Sequence, residues 1–156
     1  MPKIRALLYG VGAVGSVIAK FLLAKEGLEI VGAIDVAKDK IGKDLGTVLG
    51  LDMKLGLLVK NDLDSAVSKN GADVAVHATS SFLKDTYPQL VSIIRHGINV
   101  VSTCEELSYP YVGRDELADE IDKLAKKYDV TVLGTGINPG FLMDTLVITL
   151  TAVCQK

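Results

Sequence analysis

Three glycines and one acid carry the clearest chemical signal in this sequence. Gly10-Val11-Gly12-Ala13-Val14-Gly15 spells G-x-G-x-x-G, and Asp35 stands twenty positions after Gly15. At a joint between a strand and a helix, each glycine has a distinct use. Gly10 permits a tight turn, Gly12 lets a pyrophosphate approach bare backbone, and Gly15 lets the helix lie close to the strand. The N–H groups opening the helix, around Ala13 and Val14, then face the anion with the positive end of the helix dipole behind them. An acid at the end of the next strand is placed to bind the adenosine ribose hydroxyls. It favours NAD over NADP, because it would repel a 2′-phosphate. Lys38, Lys40 and Lys43 follow closely and could soften that preference, although each taken singly also fits a solvated loop.

Further polar groups fall where apolar runs end. "HATSSF" carries His77, Ala78, Thr79, Ser80 and Ser81; "STCEEL" carries Ser102, Thr103, Cys104, Glu105 and Glu106; "GTGINPGF" carries Gly134, Gly136, Asn138, Pro139 and Gly140. Ligands of open parallel sheets bind outside the carboxyl ends of the strands. These three edges therefore predict one crevice for a nicotinamide ring and its substrate. His77 also reads as a satisfied strand-end histidine, Cys104 as a small packed thiol, and each glutamate as a solvated acid opening a loop or helix. No pair of histidines or cysteines stands at metal-ligand spacing.

The elements that must position these residues follow from periodicity. Residues 3–9, 29–35, 55–59, 73–79, 98–103 and 130–134 read as strands, the third weakly. Val14, Val17, Ile18, Phe21 and Leu22 recur at helical spacing, with Gly27 ending that helix. Residues 62–69 predict a short helix with an acidic first turn, before Gly71. A helix over about 87–96 has Pro88 in its first turn and Gly97 past its end. Leu117, Ile121, Leu124, Ala125 and Tyr128 mark the inner face of another, and residues 141–154 read as an apolar helix. Valine- and isoleucine-rich strands alternating with helices predict an α/β, doubly wound, mostly parallel Rossmann-like sheet.

The totals are consistent with this. A chain of 156 residues suits one domain with a real core. Charged residues make up 23% and the formal net charge is −2, which gives no basic excess for a nucleic-acid partner. No apolar run is long enough to span a bilayer, and the first ten residues lack the apolar core of a signal peptide. Two cysteines are too few for a disulfide framework, so a cytoplasmic protein with free thiols is expected.

The motifs "GVGAVG", "AID", "HATSSF", "NVVSTCEELSYP" and "GTGINPGF", in this order, resemble the cofactor domain of the dihydrodipicolinate reductase-like superfamily. Within it the sequence is most similar to the 2,4-diaminopentanoate dehydrogenases and native amine dehydrogenases, over essentially all 156 residues. The resemblance implies NAD(P)-dependent oxidative deamination at an amine carbon, or reductive amination in reverse. It places a carboxylate after the fifth strand against the reacting amine. That role falls on Glu105 or Glu106, with Glu105 preferred. A fixed carboxylate suits an iminium ion and can move protons to and from nitrogen.

The resemblance also implies a longer protein. Residues 1–140 would be the dinucleotide domain, and 141–156 a helix leading to a substrate and oligomerisation domain. Catalysis by residues 1–156 alone is then not expected. A small-molecule amine substrate and a homo-oligomer follow, and the apolar tail face of Leu142, Leu146, Val147 and Leu150 predicts self-association or a disordered tail. Two other readings keep the fold: a reductase of a cyclic imine, and a nucleotide-sensing regulatory module, which would have no need of "CEE" or "NPGF" at the catalytic edge.

Overall fold

A computed structural model describes residues 2–67, 71–111 and 115–154. Its centre is β1 (Ile4–Tyr9), whose consecutive residues Leu7 and Leu8 point to opposite faces and are both buried. A strand buried on both sides needs cover on both sides. Leu7 joins a core with Ile34, Leu90, Ile93, Ile94, Ile98 and Ile121, while Leu8 joins another with Val11, Ala19, Ile30 and Leu45. Each of these leucine, isoleucine and valine side chains contributes about 1.5–3 kcal/mol by leaving water.

Around β1 stand α1 (Ala13–Leu23), β2 (Leu28–Ile34), α2 (Leu45–Val48), β3 (Val59–Lys60), α3 (Leu63–Ala66) and β4 (Val74–His77). The chain continues through α4 (Leu83–Arg95), β5 (Asn99–Ser102), a 3-10 turn (Glu105–Ser108), α5 (Asp115–Tyr128) and β6 (Val132–Gly134). A helical segment, Ile137–Thr145, then runs into α6 (Leu146–Thr151). The strands pair in the order β3-β2-β1-β4-β5-β6, each pair parallel. This is the doubly wound order whose direction reverses beside β1, where such sheets open a crevice.

Several elements differ from their sequence expectation, each for a visible reason. The third strand is only Val59–Lys60 rather than 55–59. The Asp44 carboxylate accepts from the N–H groups of Gly46, Leu55 and Gly56, drawing the preceding stretch into a loop and opening α2, which periodicity had not indicated. Helix α3 stops at Ala66, where Val67 turns extended; Ser68 and Lys69 of the expected helix lie outside the described residues. Helix α4 begins at Leu83, so Pro88 sits inside it rather than in its first turn, and the Lys84 carbonyl lacks its usual donor.

The apolar stripe of α1 is the largest surprise. Val14, Val17 and Phe21 are 58%, 54% and 67% exposed, while Gly15 and Ala19 face the sheet. The cause is contact distance: a Cβ on Gly15 would lie 2.0 Å from the Gly10 carbonyl oxygen. Only small residues fit where helix and strand touch, so the larger side chains turn outward. In the tail, Asn138, Pro139 and Gly140 depart from helical angles, and the helix that follows exposes Leu142, Val147 and Leu150.

Candidate functional site

At the end of β1 the chain takes a conformation suited to glycine: Gly10 has φ +99°, and a Cβ there would lie 2.3 Å from the Ala78 carbonyl oxygen. Gly12 is the N-cap of α1 and gives it no side-chain hydrogen bond. The first N–H groups of a helix have no partner within it. Those of α1 therefore open toward whatever lies beyond Gly12, and a Cβ built on Gly12 would meet nothing within 4 Å. Gly10 and Gly15 are thus fixed by packing, whereas the missing side chain of Gly12 leaves space. That difference matches an anion cradle.

Asp35 follows β2 directly and is only 9% exposed. Its Oδ2 accepts from the Val11 N–H at 3.0 Å and from Lys40 Nζ at 3.0 Å; its Oδ1 accepts from the Ala37 N–H at 2.8 Å. Burial works against its charge. The amide of Ala37, the Lys40 ammonium and the amide of Val11 together outweigh burial and hold the carboxyl below its ordinary range. Lys40 Nζ also donates to the Val11 carbonyl at 2.7 Å. Of the three lysines, Lys40 therefore ties the acid to the glycine loop, a role that spacing alone did not distinguish.

A crevice of about 910 Å³ lies beside this loop. Its walls include Ala13, Val14, Ala78, Thr79, Ser80, Thr103, Glu105, Asn138 and Pro139, from all three expected edges, and the outward stripe of α1 supplies an apolar side. Of the expected edge residues, His77, Ser102, Cys104, Glu106, Gly134 and Gly140 do not line this crevice. Ser102 and Cys104 are 0% and 1% exposed. Ser102 Oγ bonds His77 Nδ1 at 2.8 Å, and Cys104 Sγ donates to the Ser81 carbonyl at 3.3 Å. Their backbone shapes the edge while their side chains pack behind it.

The two glutamates differ in their contacts. Glu106 Oε2 accepts from the N–H of Leu83 at 2.7 Å, capping α4 from across the fold. The Glu106 N–H in turn donates to the Ser81 carbonyl at 3.1 Å. Glu105 is exposed on the crevice wall, which Glu106 does not line, and both acids border an adjoining hollow of about 750 Å³ with Gly136, Pro139 and Phe141.

His77 is buried and makes hydrogen bonds through both ring nitrogens, with Nε2 2.7 Å from Gln89 Oε1. Burial pushes its pKa down, against a smaller upward effect of Gln89, so it is neutral at pH 7. No motif in the sequence marks Gln89. Its position, three residues after buried Thr86 and four before buried Ile93, was the available signal. Among the described residues no group of His, Cys, Asp or Glu side chains could hold a metal ion, and no helix is long and apolar enough to cross a membrane.

The chain is similar to known proteins over most of its length. The family described as "Dihydrodipicolinate reductase, N-terminus" matches residues 4–133. The 2,4-diaminopentanoate dehydrogenase of Acetoanaerobium sticklandii is 38% identical over 161 residues, which cover 100% of this chain and 44% of that protein. A 4-hydroxy-tetrahydrodipicolinate reductase of Prochlorococcus marinus is 30% identical over 139 residues, 83% of this chain and 45% of its own length. The structure of an amine dehydrogenase from Mycobacterium smegmatis superposes with a TM-score of 0.90 and 40% identity, covering 98% of this chain and 45% of that one. The chain thus spans less than half the length of these relatives.

Proposed function

The chain belongs to the dihydrodipicolinate reductase N-terminal family, and from that premise we propose that it is the dinucleotide-binding part of an NAD(P)-dependent oxidoreductase acting on the CH–NH2 group of a small amine. On this reading residues 1–140 are the cofactor domain and 141–156 lead toward a substrate and oligomerisation domain, which the greater length of the relatives leaves room for. The observation that carries this reading is the division of labour between the two acids: Glu106 is used in capping α4, and Glu105 faces the crevice.

The residues fit a dinucleotide. The open backbone at Gly12 and the N-terminal amides of α1 would hold the pyrophosphate, and Asp35 the adenosine ribose. Ala78, Thr79, Ser80, Asn138 and Pro139 would wall the nicotinamide side. Asp35 favours NAD, since it is held ionised where a 2′-phosphate would stand. When bound, the oxidised dinucleotide supplies the acceptor for the hydride leaving the amine carbon.

Glu105 does the remaining work this chain can offer. As its hydride leaves, the amine carbon gains positive character shared with nitrogen, and a carboxylate held nearby stabilises that charge. The same carboxylate can relay to solvent the proton that an ammonium substrate loses before oxidation, so that it is ionised again when the hydride leaves. It can also take a proton from the water that adds to the iminium carbon on the way to carbonyl and ammonia.

Reduction of a cyclic imine is the second reading, favoured by the match to a 4-hydroxy-tetrahydrodipicolinate reductase. One assay separates the two. With the protein as its gene encodes it, aliphatic amines and diamines should support NAD reduction at 340 nm. Oxidation of NADH by a cyclic imine, with no amine-dependent reaction in either direction, would favour the second.

A further inference from the structure

His77 sits at the end of β4 between two walls of the crevice, and its ring connects them. On one side, Nε2 lies 2.7 Å from Gln89 Oε1 and 3.1 Å from Thr79 Oγ1, while Thr79 Oγ1 donates to the same amide oxygen at 2.7 Å. On the other side, Nδ1 lies 2.8 Å from Ser102 Oγ, which accepts from the Cys104 N–H at 3.1 Å. Thr79 is on the crevice surface, and Cys104 immediately precedes Glu105.

The donors and acceptors allow one direction through this chain. An amide oxygen only accepts, so Nε2 carries the proton. Nδ1 must then accept from the Ser102 hydroxyl, whose oxygen remains free to accept from the Cys104 amide. Each member has its partner, and Ser102 and His77 are fully buried, which makes a broken link expensive.

Resting on the function proposed above, we propose that His77 is a positioning residue: its neutral imidazole, protonated at Nε2, fixes Thr79 on the cofactor wall relative to the turn that carries Glu105. One arm, through Gln89, orients the threonine. The other, through Ser102, anchors the backbone from which Glu105 projects. The ring exchanges no proton with substrate; it sets the spacing between the cofactor wall and the carboxylate.

Two substitutions divide the arms. In His77→Gln the longer side chain can place an amide N–H near the Nε2 position and keep the Gln89 arm. In His77→Asn the shorter one can place its oxygen near Nδ1 and keep the Ser102 arm. In the protein as its gene encodes it, H77Q should lower kcat by about tenfold or more, with little change in dinucleotide Kd, because small displacements of reacting groups are costly. H77N should instead weaken dinucleotide binding by about fivefold to tenfold, as expected for a lost hydrogen bond, with the smaller effect on kcat.

Should either variant fold poorly, ¹⁵N spectra of the unsubstituted protein decide the connectivity. They should show a protonated Nε2 and an unprotonated Nδ1 for His77, and Gln89→Leu should reproduce the binding defect from the other partner. Protonation at Nδ1 would overturn the inference, as would equal losses of binding and turnover in both variants, or no loss in either. Failure of the underlying functional reading looks different: the unsubstituted protein would bind no dinucleotide, whatever the tautomer.

Discussion

Glu106 reaches from the 3-10 turn after β5 to the N–H of Leu83, 2.7 Å away, and so starts α4. The helix begins four residues earlier than its apolar period suggests because a carboxylate from a distant part of the chain satisfies its first turn. This contact also leaves Glu105 as the acid of the pair that faces the crevice.

Substitution should therefore separate the two. Glu105→Gln removes a charge from the reacting centre and should lower kcat for amine oxidation by about 10²–10³-fold, with the fold intact. Glu106→Gln keeps an oxygen that can accept from Leu83 and should reduce turnover far less. Glu106→Ala loses the cap and should cost about 1 kcal/mol in thermal or denaturant unfolding. Equal turnover in E105Q and the unsubstituted protein would remove the proposed role.

The glycines of the first loop should also divide by mechanism. Gly12→Ala adds a methyl where nothing lies within 4 Å, so the free protein should keep its stability while dinucleotide affinity falls. A loss of about tenfold or more is expected from calorimetry, since the methyl occupies the anion's place. Gly15→Ala puts its methyl 2.0 Å from the Gly10 carbonyl oxygen and should destabilise the fold by about 1–3 kcal/mol or more.

Asp35→Ser should weaken NADH binding and raise the ratio of NADPH to NADH affinity. It removes a charge that would oppose a 2′-phosphate and releases Lys40 Nζ from that carboxylate, 3.0 Å away, leaving the ammonium its bond to the Val11 carbonyl. Paired titrations of both cofactors measure this directly. An unchanged ratio would show that Asp35 does not face the adenosine ribose.

His77 makes stability depend on pH. Its folded pKa is lowered by burial, so below about pH 6.5 the unfolded chain takes up a proton that the folded protein refuses. Stability is fully present above that pH and falls as the pH drops, by up to about 1.4 kcal/mol per unit for this one group. Denaturant unfolding of the unsubstituted protein and H77Q at pH 7.5 and 5.5 should show a smaller fall in the variant. Parallel slopes would contradict a neutral buried imidazole.

The tail exposes Leu142, Val147 and Leu150, which are 47%, 48% and 66% accessible. Residues 1–156 expressed alone should self-associate through this face, and Leu146→Glu with Leu150→Glu should shift sedimentation toward the monomer. The described tail is helical through Thr151, and a monodisperse monomer with an ordered tail helix would contradict both outcomes expected from sequence.

Much of this was legible in the residues. Strand and helix alternation gave the sheet, because β1 alternates across two cores and its neighbours are apolar on both faces. The crevice edges were visible as polar ends to apolar runs. What could not be read were effects of contact across the fold. The Asp44 clasp shortens β3, the Glu106 cap lengthens α4, and the Gly15 contact turns the apolar stripe of α1 outward. Ser102 and Cys104 lie at the right place in the chain, but their hydrogen bonds to His77 and Ser81 turn the side chains inward. Periodicity records which face is apolar, not which neighbour approaches first.

Co-crystallisation with NADH tests the central claim most directly. The account predicts diphosphate density against the backbone of Gly12 and Ala13, with the adenosine ribose within hydrogen-bonding distance of Asp35. Density for the dinucleotide at another surface, or none at a saturating concentration, would contradict it.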